Sequence, residues 1–246
     1  MSEVTAEMLV ALYTGLDRLG PGDDAFAAEV LDALPPGPEH PRIADLGCGT
    51  GAGALLLAGR FGSRVIAVDD QQAFLDELSR RAGDAGLQAL IEPRRADMAA
   101  PGITPGSLDL IWSEGAAYAM GFATALGAWR PLLRPGGLAA VSELSWWGAD
   151  IPAEAQSYWA AAYPDMMDEE ANAARARDAG FEVLGVRRLP PEAWRRSYSA
   201  PLAARLDAYS ADTALAPVIA ESREEIDMQA RHGDAFGYSF YLLRTS

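Results

Sequence analysis

Residues 42–57 read Arg-Ile-Ala-Asp-Leu-Gly-Cys-Gly-Thr-Gly-Ala-Gly-Ala-Leu-Leu-Leu, and the fold is decided there. A short apolar run ends in three closely spaced glycines and passes directly into a stretch of helix formers. Glycine permits a tight turn and lets the backbone approach a ligand closely, while the helix N-terminus that follows favours an anion. Outward from this unit the chain alternates short apolar runs with helical segments. The runs are RVIAVD (64–69), ALIEP (89–93), LDLIWS (108–113) and LAAVSEL (138–144), followed later by FEVLGVRRL (181–189) and FGYSFYLLR (236–244). Fully apolar strands separated by helices predict a doubly wound α/β fold whose mostly parallel sheet is buried on both faces.

The flanks are helical. Amphipathic patterns over Thr5–Leu19 and Asp23–Leu34 predict two N-terminal helices, separated by Gly20-Pro21-Gly22 and ended by Pro35-Pro36-Gly37-Pro38. Asp70 follows the second strand and is placed to cap a helix over 71–84. The expected organisation is a single domain over 1–246. It comprises N-terminal helices at 1–38, a ligand-binding core at 40–145, and helical cap elements at 146–180 and 195–233, the latter inserted before the last strand. Pro217 starts or breaks a segment there, and Gly233 ends it.

Composition removes several classes of function. The formal charge is −15, and all 20 basic residues are arginine. Without lysine there is no Schiff base and no P-loop, which excludes pyridoxal-phosphate chemistry and Walker-type nucleotide hydrolysis. The acidic balance and scattered arginines argue against a nucleic-acid partner. One cysteine, Cys48, and two histidines, His40 and His232, make a metal site or a Cys-His pair improbable. No apolar run approaches the roughly 20 residues of a membrane span. The acidic, amphipathic start does not resemble a signal peptide, so a cytoplasmic protein is expected. Nothing in the sequence speaks to the oligomeric state.

The glycine turn has two readings. Gly47-x-Gly49-x-x-Ala52 fits a dinucleotide fingerprint. Asp45, however, sets a carboxylate at the strand end, where it would oppose a pyrophosphate and favour an ammonium. Asp69 ends the second strand 22 residues after Gly47, in position to accept hydrogen bonds from both hydroxyls of a ribose. Leu133-Arg134-Pro135-Gly136-Gly137 reads as a helix stop and turn before the fifth strand.

Together these features resemble the class I S-adenosylmethionine-dependent methyltransferases over roughly residues 40–145. A closer likeness, carried by RLGPG (18–22), DLIWSEGAAYAMGF (109–122), AVSELSWW (140–147), LPPEAW (189–194) and FGYSFY (236–241), is to a group of bacterial methyltransferase-like proteins without a settled substrate. The resemblance implies seven strands in the order 3-2-1-4-5-7-6 with the last antiparallel, and S-adenosyl-L-methionine as cofactor. It also implies a cofactor set of Asp45, Gly47, Cys48, Gly49, Gly51, Asp69, Asp70, Asp97, Met98 and Ser113, with Asp97-Met98 against the adenine. Asp70-Gln71-Gln72 departs from the commoner pattern of an apolar residue followed by proline, so the side chain packed on the adenine is not fixed.

Ligands of open α/β sheets lie at the carboxyl ends of the strands. Glu114, Tyr118 and Glu143 project there and are the candidates for acting on a small-molecule acceptor. Gly115-Ala116-Ala117 leaves room beside them. Trp146 and Trp147 are placed to bind a flat or cationic group, or else to pack in the cap. His232, near a helix end, reads as a partner of the helix dipole. Two rival readings remain: a protein that holds S-adenosylmethionine without transferring methyl, and a nicotinamide-dependent oxidoreductase, which Asp45 and the Leu-Arg-Pro-Gly-Gly turn oppose.

Overall fold

The structure is a computed structural model that describes residues 4–246; residues 1–3 of the expected N-terminal helical segment lie outside the described residues. Seven strands follow the path β3-β2-β1-β4-β5-β8-β7. They are β1 (Ile43–Leu46), β2 (Val65–Asp69), β3 (Ile91–Arg95), β4 (Leu108–Ser113), β5 (Leu133–Trp146), β7 (Phe181–Arg188) and β8 (Phe236–Thr245). A two-residue strand, β6 (Met167–Asp168), pairs with the end of β5 beside this path. The expected order is therefore present, and the small added strand only shifts its numbering. Strands β1 to β5 pair in parallel, and β8 runs antiparallel between β5 and β7.

Helices α1 (Ala6–Tyr13) and α2 (Asp24–Asp32) precede the sheet. Helices α3 (Ala52–Phe61), α4 (Gln72–Asp84) and α5 (Phe122–Trp129) connect its parallel strands. Helices α6 (Ala153–Ala162) and α7 (Glu169–Asp178) lie between β5 and β7. The crossing from β7 to β8 carries α8 (Pro191–Trp194), a π-turn over Arg195–Ser199, α9 (Ala200–Ala208) and α10 (Ala216–His232).

The strand alternation divides the core into two layers. Ile43, Leu110, Trp112, Ala140 and Phe240 face one side with Leu57 of α3 and Leu78 of α4. Ala44, Ile111, Val141 and Tyr241 face the other with Phe122 and Trp129 of α5. Each fully buried side chain of this size contributes roughly 1.5–3 kcal/mol, so neither face can be given up.

Three local expectations are corrected. Strand β3 starts two residues later than ALIEP and alternates in burial, because it is the sheet edge and only one of its faces is covered. Leu133–Gly137 is not a turn outside the sheet but part of β5. Its partners pass from Leu108↔Leu133 to Leu110↔Leu138, so the strand bulges through Gly136, whose φ is +70°. Helix α4 is preceded by Gln71 without a side-chain cap, and the Asp70 carboxylate accepts only from the Gln71 side chain, so Asp70 is not the cap.

The cap is built from distant parts of the chain. Arg205 of α9 donates to the carbonyl oxygens of Leu12 and Thr14 and so satisfies the C-terminal end of α1. The Tyr13 hydroxyl meets that of Tyr198 at 3.1 Å. Asp23 caps α2 through the Phe26 amide and also accepts from Arg196 and Ser197.

Candidate functional site

The turn after β1 is held by backbone bonds, with the amides of Gly47 and Cys48 both donating to the Val68 carbonyl oxygen at 2.9 Å. Gly47 sits at φ +77°, and a Cβ there would run into the Ala116 side chain. Gly51, at φ +90°, precedes α3 and is closed off by Leu78 in the same way. No larger residue fits either place, which leaves bare backbone along the turn.

Asp45 lies beneath this turn. It is 2% exposed, and its Oδ2 has no hydrogen-bond partner. Burial and the charge of Glu114 push its carboxyl up to about 8. Asp69 accepts from the amides of Gly49 and Gln71, each at 2.9 Å, tying the first turn to the end of β2. Burial raises its pKa, and these amides oppose the shift. The Cys48 thiol is held well above its usual range by burial.

These groups line a cavity of about 510 Å³ that runs from the glycine turn to the helical cap. Among the described residues its wall carries eight carboxyl groups and a single guanidinium, that of Arg18. Arg18 bonds Glu114 at 2.9 Å and Asp24 at 2.6 Å. The loop carrying Arg18 is pinned over the glycine turn. Thr50 donates to the Leu16 carbonyl at 3.2 Å, Arg81 donates to that of Asp17 at 2.8 Å, and Leu19 packs on Gly49. Burial raises the Glu114 pKa while Arg18 opposes it.

The structure brings most of the sequence-derived set together. Asp45, Gly47, Cys48, Gly49, Asp69, Asp70, Asp97, Met98, Glu114 and Tyr118 all line the cavity. Gly51 supports the turn from behind.

Other expectations are corrected. Ser113 is fully buried and donates to the Leu46 carbonyl at 2.8 Å, joining β4 to β1 rather than facing the cavity. Glu143 also lies off the cavity wall, buried with both carboxylate oxygens unpartnered and facing the equally unpartnered Tyr163 hydroxyl. Burial pushes its carboxyl up to about 8. Trp147 donates to Ser239 and lies beneath Arg188, and Trp146 packs edge-on to Phe236, so both tryptophans belong to packing. His232 bonds Glu154 at 2.7 Å, away from the cavity.

Sequence reasoning missed Arg18 as a wall residue, Phe74 of α4, and the cap residues Tyr13, Tyr198, Glu221 and Glu225. RLGPG was a visible signal for Arg18, and the periodicity of α4 was one for Phe74. For the cap residues there was none, because Tyr13 and Tyr198 meet across 185 positions of chain. Among the described residues no cluster of His, Cys, Asp and Glu can hold a metal ion, and no helix is long and apolar enough to cross a membrane.

Residues 43–137 match a family model described as a methyltransferase domain. The fold around this matched domain is the one that solved S-adenosylmethionine-dependent methyltransferases share. YjhP from E. coli is similar in structure at 23% identity, covering 98% of this chain and 100% of that one, with a TM-score of 0.80. A methyltransferase from Geobacter sulfurreducens, solved with S-adenosyl-L-homocysteine, matches at 18% identity over 100% of both chains, with a TM-score of 0.83. The [4+2]-cyclase SpnF matches at 20% identity, covering 98% of this chain and 92% of its own, with a TM-score of 0.77. No curated protein matches the chain in sequence.

Proposed function

We propose that the protein transfers a methyl group from S-adenosylmethionine to a small-molecule acceptor admitted beneath the helical cap. The observation that carries this reading is the single cavity with two chemically different ends. One end presents the glycine turn, Asp45 and Asp69, and the other presents tyrosines and carboxylates of the cap.

The residues present fit the cofactor. The buried, unpartnered oxygen of Asp45 suits the ammonium of the methionine end, and Arg18 suits its carboxylate. Asp69 has lone pairs left for the ribose hydroxyls, while Phe74 and Met98 offer apolar faces for the base. When bound, S-adenosylmethionine supplies an activated methyl on a sulfonium. The protein's share is alignment of the acceptor and exclusion of water. Glu114 is committed to Arg18 at 2.9 Å, so its role is to hold that guanidinium in place. Tyr118, 46% exposed and on the cavity wall, is the candidate to touch the acceptor.

The neighbouring [4+2]-cyclase keeps a second reading in view, in which the same fold serves chemistry other than methyl transfer. A metabolite-extract screen with methyl-labelled S-adenosylmethionine separates the two. Label appearing in a small molecule supports methyl transfer. Tight S-adenosylhomocysteine binding with no labelled product from any extract contradicts it.

A further inference from the structure

The carboxylate-bearing helix α10 closes the cap end of the cavity. Glu221 and Glu225 stand one turn apart on it, both on the cavity wall with Tyr13, Tyr118 and Tyr198. Among the described residues neither glutamate has an ion-pair or hydrogen-bond partner. The arginines within reach in sequence are committed elsewhere: Arg223 to Asp207 at 2.8 Å, and Arg231 to Glu154 at 2.9 Å. Arg205 is spent on the carbonyls of α1.

From this arrangement we infer that the cap end is a subsite for a cationic nitrogen of the acceptor, a protonated amine or a quaternary ammonium, held by Glu225 among the tyrosines. The inference rests on the methyl-transfer reading above and names its substrate class.

Three observations converge. A carboxylate in a partly desolvated pocket without a counter-ion is costly, and a ligand cation removes the cost. Burial and neighbouring Glu221 push the Glu225 carboxyl up to about 7, with no arginine opposing the shift. Tyrosine faces attract cations through their π-electrons, and their hydroxyls accept hydrogen bonds from N–H groups. The Tyr13 and Tyr198 hydroxyls are already positioned by each other and by Ser222 at 3.5 Å. At the far end the unpartnered Oδ2 of the buried Asp45 faces the same cavity, so both ends can receive positive charge. An acidic acceptor would meet repulsion from the ionised carboxylates of this wall, and among the described residues only Arg18 could pair with it.

The test uses choline and its neutral isostere 3,3-dimethylbutan-1-ol, titrated by ligand-observed NMR into protein saturated with S-adenosylhomocysteine. The expected result is choline binding at least about tenfold tighter than the isostere, the scale of a desolvated cation–π and charge contact. Glu225→Gln is expected to abolish that preference and leave the S-adenosylhomocysteine Kd within about twofold, which also reports an intact fold. Equal binding of the two probes, binding of neither, or a Glu225→Gln variant that keeps the preference overturns the cation subsite while the cofactor reading stands. Failure of S-adenosylhomocysteine itself to bind overturns the methyl-transfer reading, and this inference with it.

Discussion

At the scale of single residues, the two aspartates at the end of β2 divide their work differently from what their sequence suggests. Asp69 accepts from the Gly49 and Gln71 amides, whereas the Asp70 carboxylate accepts only from a neighbouring side chain. Asp69→Ala is therefore expected to weaken S-adenosylhomocysteine binding by about 1–3 kcal/mol and also to lower stability, since two backbone donors lose their acceptor. Asp70→Ala is expected to leave thermal stability within about 0.5 kcal/mol. Calorimetry and thermal melts on both variants check the pair, and a large stability loss in Asp70→Ala would restore it as the cap.

Two other carboxyls give signs that can be worked through. Asp45 and Glu143 are both pushed up to about 8 by burial, above their ordinary values. The folded state therefore holds protons that the unfolded state releases, and stability is lost as pH rises from about 5 towards 8. Glu143→Gln removes one such group without changing shape, so it is expected to raise stability at pH 8 by about 2 kcal/mol and to flatten the slope. Urea denaturation at pH 5.5 and pH 8 reads this directly, and an unchanged slope would mean that Glu143 stays ionised. Asp45 meets the cofactor's ammonium in the proposed contact, so binding at pH 7 is expected to release a proton to buffer. Calorimetry in buffers of different ionisation enthalpy would show that release in the natural protein and not in Asp45→Asn.

At the scale of elements, the cap depends on α1 being finished by another helix. The α1 carbonyls at its C-terminal end are taken by Arg205 of α9, and Tyr13 of α1 meets Tyr198 before α9. Arg205→Met keeps the apolar stem and removes the donors. It is expected to cost about 1–3 kcal/mol, because several partly buried carbonyls lose their partners together. Hydrogen exchange should show faster opening in α1 and α9 while β1 and β4 keep their protection. Uniform loss of protection would mean that α1 and the central sheet open as one unit.

The same contrast explains what could be read from sequence. Strands β1, β2 and β4 and the glycine turn are local patterns: four to six apolar residues, then a forced change of direction. Asp45 and Asp69 were recognisable because each ends such a strand. Ser113 and Glu143 were misjudged for a physical reason. A residue at a strand's carboxyl end projects to one face or the other, and only pairing settles which. Ser113 turned to Leu46, and Glu143 turned toward Tyr163. The tryptophans of the Ser-Trp-Trp stretch were attractive as a cation site, but the aromatic residues at the cap end of the cavity are tyrosines on three separate elements.

At the scale of the whole molecule, the net charge of −15 extends into the central cavity, where eight carboxyl groups surround one guanidinium among the described residues. A cavity of that sign discriminates between ligands before any detailed contact forms. S-Adenosylmethionine carries a sulfonium and an ammonium against one carboxylate, and is favoured. A dinucleotide brings a pyrophosphate among these carboxylates with one guanidinium to meet it, and is expected to be disfavoured. The most direct measurement is calorimetric titration of the purified protein with S-adenosylhomocysteine and, separately, with NAD. The predicted result is saturable binding of S-adenosylhomocysteine, weakened in Asp69→Ala, with no detectable NAD binding. Tighter binding of NAD, or no S-adenosylhomocysteine binding at all, would contradict the assignment of this cavity.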